Sequence, residues 1–133
     1  MGLLTAMLPS LLACASSPKQ VAVEASCEEL SGERTITRDV ELAVGDSLTV
    51  TLCSNPTTGF QWEPAQVTNA GVLRQTESRY VAPEANRPGA AGRMLWAFKP
   101  LKPGNATVSL DYSRPWQGGE KAAWKFVLNV LIK

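Results

Sequence analysis

From Trp124 to Ile132 every second residue is large and apolar: Trp124, Phe126, Leu128, Val130 and Ile132. A helix scatters such a series around its axis, whereas an extended chain lays all of it on one face. A strand of this kind is stable only against a second apolar layer, so the rest of the chain has to supply one. It does so with the same period. Val40, Leu42 and Val44 alternate with Glu41 and Ala43; Gly45-Asp46 reads as a turn; Leu48, Val50 and Leu52 then alternate with Thr49 and Thr51. This is the signature of two strands joined by a short connection. Residues 61–67 give a weaker strand carrying Trp62, and residues 72–82 an extended stretch that Pro83 stops. Residues 93–100 place Trp96 and Phe98 on one face. After the break at Lys102-Pro103-Gly104-Asn105, residues 106–112 resume the alternation with Val108, Leu110 and Tyr112. No segment carries a convincing helical period, so the expectation is an all-β sandwich, with a closed barrel as the alternative on pattern alone. Trp96, Phe98, Trp124 and Phe126 are expected in its core, and Trp62 packed beneath the loop that precedes it.

A chain of 133 residues, 44% hydrophobic and 19% charged, fits one domain with a core of its own. The formal net charge of +1 gives no reason to expect a nucleic-acid partner or an anionic surface. There is no histidine. Ser-His and Cys-His catalysis, the usual zinc sites and a histidine pH switch are thereby excluded, and no metal or cofactor is expected.

The N-terminus reads as an address. Residues 1–13 are apolar and uncharged and run into Leu11-Leu12-Ala13-Cys14, which resembles a bacterial lipoprotein processing box. Residues 1–14 are therefore read as a signal segment ending at a lipidated Cys14, residues 15–26 as a tether, and residues 27–133 as the folded domain. A non-lipidated secretory leader or a buried strand is the alternative. On this reading the protein sits at the cell envelope or outside the cell, and its only membrane contact is the lipid on Cys14. Cys27 and Cys53 are then an even pair outside the cytosol. Either they form a disulfide or they are two free, buried thiols.

Three connections carry unusual chemistry for linkers: residues 55–60, 86–93 and 114–121. In a sandwich, alternate connections gather at one end, so three loops far apart in sequence are able to form one surface. In Asn55-Pro56-Thr57-Thr58-Gly59-Phe60, proline fixes one backbone angle, glycine permits a positive one, and Asn55 can bond to the neighbouring backbone. The product is a stiff tip that presents two threonines.

NPTTGF, with a threonine-rich strand before it and a tryptophan after it, strongly resembles the chagasin-like family of cysteine-peptidase inhibitors. That family's other two signature loops have counterparts in order. A GxxG loop is matched by Gly89-Ala90-Ala91-Gly92, and an RPW loop by Arg114-Pro115-Trp116 ahead of the final strand. The resemblance spans the chain from about Cys27 to Lys133. It implies an immunoglobulin-like antiparallel β-sandwich acting as a reversible inhibitor of papain-like cysteine peptidases. Asn55, Pro56, Thr57, Thr58, Gly59 and Phe60 form the tip that enters the active-site cleft. Gly89, Ala90, Ala91 and Gly92 grip one side, and Arg114, Pro115 and Trp116 the other. The resemblance also implies a monomer that meets one enzyme at a time.

Within that frame, the GxxG glycines would let main chain pair with main chain, and Arg114 is read as a brace of its own loop. Gly118-Gly119 adds flexibility beside Trp116. Arg87 and Arg93 give the GxxG flank a positive rim. Two other functions use the same residues: an adhesion or ligand-binding module of the cell envelope, and a structural envelope lipoprotein. An enzyme is not indicated, since no nucleophile–base pair can be assembled.

Overall fold

The computed structural model describes Gly2, residues 17–84 and residues 88–133. Apart from Gly2, the signal segment with its Cys14 lies outside the described residues, as do Asn86 and Arg87.

Among the described residues the alternating segments become nine strands: β1 (Gln20–Ala25), β2 (Thr35–Leu42), β3 (Ser47–Ser54), β4 (Gln61–Trp62), β5 (Gln66–Val67), β6 (Leu73–Val81), β7 (Gly92–Pro100), β8 (Gly104–Ser113) and β9 (Trp124–Ile132). One sheet runs β1-β3-β7-β6; the other runs β2-β9-β8-β4, with β5 also paired to β8. The fold is an immunoglobulin-like β-sandwich. Leu48, Val50, Leu52, Trp96 and Phe98 from the first sheet meet Val108, Leu110, Phe126, Leu128 and Val130 from the second, all 2% exposed or less. The period-two residues thus form the core, because alternate side chains of each strand point to the space between the sheets.

Three features depart from the sequence reading. Residues 15–26 were expected to be a tether, yet Gln20–Ala25 is a strand that pairs parallel to β3 in register Val21 to Leu48 and Val23 to Val50. Val21, Val23 and Ala25 repeat the inward alternation, and the unpaired edge of β3 offers them backbone partners. The short connection after β2 does not make a hairpin. β2 lies along β9, parallel, in the second sheet, and the turn carries the chain across to β3 in the first. Each sheet therefore has one parallel edge pair in an otherwise antiparallel ladder.

The third departure is a helix, α1 (Cys27–Gly32), between β1 and β2. Ser26 caps it by accepting the Glu29 N–H, and Glu28 and Glu29 stand in the first turn, where the helix dipole favours carboxylates. Six residues are too few to show a helical period or to hold a helix alone. Burial of Leu30 and a disulfide from Cys27 to Cys53, with 5.0 Å between Cα atoms, hold it against the end of β3.

Candidate functional site

Strand directions bring the three special loops to one end. β3 and β8 run toward that end, and β7 and β9 run away from it, so residues 55–60, 82–84, 88–91 and 114–123 all lie there.

The tip is a single 3₁₀ turn, Pro56–Thr58, built by its own side chains. The Asn55 side-chain oxygen accepts the Thr57 N–H at 3.2 Å, and the Thr58 hydroxyl donates to the Asn55 carbonyl at 2.7 Å. Gly59 closes the turn at φ +82°, in the left-handed region that glycine enters without steric cost. Pro56, Thr57 and Thr58 are exposed, whereas Phe60 is 7% exposed. Phe60 therefore supports the tip from below and does not form part of its surface. Its ring sits 5.4 Å from Tyr112 and 5.2 Å from Trp124, while Trp62 stacks on Tyr112 at 4.6 Å. Trp124, expected in the core, is half-buried here, between Phe60 and the Arg34 guanidinium. It is the first residue of β9, where the sandwich opens toward the loops. The Trp62 indole N–H donates to the Cys53 carbonyl, and the Tyr112 hydroxyl accepts the Asn55 N–H at 2.9 Å. The base of the tip is thus pinned on both sides.

The two flanks are tied to this tip. Asn55 Nδ2 donates to the Gly89 carbonyl at 3.2 Å, which links the tip to the GxxG loop. The Trp116 ring lies on Gly59, so close that a Cβ there would stand 2.6 Å from its Cη2. Trp116 is still 52% exposed, and Pro115 is exposed beside it. Arg114 lays its guanidinium 4.5 Å over the Phe60 ring and braces its own loop.

The glycines differ in use. Gly89, at φ +76°, has nothing near its missing side chain and is open to a partner. Gly92 is buried, and a Cβ there would strike the Tyr80 hydroxyl and the Val81 carbonyl. The second glycine of GxxG serves the protein's own packing. Likewise Gly119 does not loosen the RPW loop: a Cβ there would lie 2.5 Å from the Arg114 carbonyl oxygen, and its N–H donates to Trp116.

Sequence reasoning missed three residues that shape this end. Lys121 donates from Nζ to the carbonyls of both Arg114 and Trp116 at 2.7 Å, fastening the RPW loop from inside. Tyr112 reads in the sequence only as one more member of an alternation. Tyr80, 44% exposed, rests over Gly92. Only an aromatic followed by a glycine-rich connection hinted at it.

Comparison with known proteins bears on the family and the fold. The family model described as chagasin family peptidase inhibitor I42 matches residues 41–130. Amoebiasin-2 of Entamoeba histolytica is 28% identical over 94 residues, covering 71% of this chain and 76% of the relative. Chagasin of Trypanosoma cruzi is 31% identical over 90 residues, covering 65% and 82%. Among solved structures, the cysteine protease inhibitor EhICP2 of Entamoeba histolytica superposes with a TM-score of 0.68 at 22% identity, over 86% of this chain and 97% of that one. PbICP-C, solved in complex with falcipain-2, gives a TM-score of 0.63 at 16% identity, over 86% and 99%. These two likenesses bear on the fold, and the family match spans well over half of the chain: this protein belongs to the chagasin family of peptidase inhibitors, a family of inhibitors and not of enzymes.

Proposed function

We propose that this protein is a reversible inhibitor of papain-like cysteine peptidases that seats Thr57 and Thr58 in the active-site cleft, with Gly89–Ala91 on one wall and Pro115–Trp116 on the other. The observation that carries this reading is the double tie of an exposed tip to two exposed flanks, through Asn55 to Gly89 and through Trp116 on Gly59. A tip already fixed by its own hydrogen bonds loses little conformational freedom on binding, so more of its contact energy appears as affinity. Trp116 is the residue type most enriched at interface hot spots. Nothing in the wedge has to react. It fills the cleft, and a 3₁₀ turn offers no extended peptide bond for cleavage. A lipid on Cys14, tested by mass spectrometry of the mature chain, would hold the inhibitor at the cell envelope.

Titration against papain, with the inhibition constant fitted, tests the reading. The expected result is nanomolar inhibition that falls by at least about a hundredfold in Thr57→Ala/Thr58→Ala/Trp116→Ala, at about 2 kcal/mol or more for a hot-spot aromatic plus the threonine contacts. A folded wild-type protein that leaves papain-like enzymes untouched would overturn it.

A further inference from the structure

Helix α1 stands at the same end of the molecule as the three loops. β1 climbs parallel to β3 and reaches Ala25 opposite Leu52, and β2 starts beside the first residues of β9, with Thr35 opposite Lys125. The helix joins these two points. It precedes residue 41, where the family match begins. Between it and the loops lies a groove of about 380 Å³. Leu30 and Ser31 line it from the helix, Thr58 and Arg114 from the tip and the RPW loop, and Phe60 and Trp124 between them. The disulfide fixes one wall, since Cys27 opens the helix and Cys53 lies two residues before the tip.

We infer that α1 is a fourth element of the peptidase-facing end, and that its groove receives an apolar side chain from the rim of the target's cleft. The inference rests on the inhibitor reading above. Thr58 and Arg114 belong both to the groove and to the loops assigned to the peptidase, so an enzyme that seats those loops also covers the mouth of the groove. The lining fixes the chemistry of the occupant. Leucine and aromatic faces gain from burying apolar surface, and Ser31 and the Arg114 guanidinium stay at the margin, where polar groups keep water. Among the described residues no carboxylate lines the groove, so a cationic side chain has no partner from them. The disulfide serves this arrangement directly. A single exposed turn of helix frays unless it is tied down, and a groove wall that frays gives up affinity in re-ordering.

The test blocks the groove without touching the loops. Ser31 is exposed and hydrogen-bonds only within α1, to the Glu28 carbonyl. In the full chain, Ser31→Trp should raise the inhibition constant against papain about tenfold or more, the size of a lost interface anchor. Lys102→Trp, an exposed site in the turn between β7 and β8 at the opposite end, should leave it unchanged, and thermal melting of both should match wild type. If Ser31→Trp inhibits like wild type while Thr57→Ala/Thr58→Ala/Trp116→Ala does not inhibit, the groove lies outside the interface: the fourth element is overturned and the wedge stands. If wild type and all variants fail to inhibit, both readings fall together.

Discussion

The two ends of the sandwich each carry a turn built by one short side chain, and they use it to opposite purposes. At the far end, Asp46 accepts the Ala43 N–H at 2.8 Å across its own turn and the Lys19 N–H at 2.9 Å from the start of β1. It is 7% exposed, and its two oxygens fasten segments 27 residues apart in sequence. At the loop end, Asn55 accepts the Thr57 N–H and donates to Gly89, but what it arranges is left in solvent. A charge suits the first position because two backbone N–H groups converge on it. A neutral amide suits the second, because it must accept on one side and donate on the other. The far turn spends its hydrogen bonds on folding, and the near turn spends them on holding a shape for another protein.

The disulfide puts this division under the strongest strain, because it lies at the loop end yet acts on folding. Its 26-residue separation corresponds to about 3 kcal/mol of stability from restricting the unfolded chain. Cys27→Ser/Cys53→Ser should therefore lose about that much in urea unfolding, the largest stability change expected here. Inhibition by the fraction that remains folded should weaken less than in Ser31→Trp, because the three signature loops keep their own ties. Inhibition lost in proportion to stability would show that the two ends are not separable.

Asn55→Ala probes the near turn alone. Removing a capping side chain costs about 1 kcal/mol, and the melting temperature should fall accordingly. The inhibition constant should rise more, about tenfold, because residues 56–58 and the GxxG loop must then be ordered at the moment of binding. Equal losses in the two measurements would mean that the amide only stabilises the fold.

The same contrast explains what was legible in the sequence. The NPTTGF tip could be read because its conformation is set by residues adjacent to one another: proline, asparagine and glycine act within one turn. The strands could be read because alternation is local. What joins distant segments left no local trace. Alternation in residues 40–52 reports a buried face for each strand but not which sheet the strand enters, so the crossover at Asp46 looked like a plain turn. Val21 and Val23 looked like part of a tether because their partner strand begins at Ser47. Lys121 holds the RPW loop through two carbonyls, and carbonyls have no letter in a sequence. α1, too, has a local signal: Ser26 and Glu29 stand at the spacing of a capping box.

The smallest expected effect is at the far turn, and it depends on pH. Backbone N–H groups of Ala43 and Lys19 hold the Asp46 carboxyl below its ordinary value. A group with a lowered folded-state pKa stabilises above its unfolded value and loses that contribution as pH falls through the folded one. Wild type should therefore be more stable than Asp46→Asn at neutral pH. Their urea midpoints should converge as pH drops below the ordinary carboxylate range, where protonation removes the charge the two N–H groups were holding. Asparagine keeps one accepting oxygen and so retains one of the two bonds, which limits the difference at neutral pH. Inhibition of papain at neutral pH should be the same for both, because no loop of the wedge touches Asp46. A variant that lost inhibition while remaining folded would show that the register of β1 is felt at the loop end through α1. That would replace the division of labour between the two ends with a single mechanical unit.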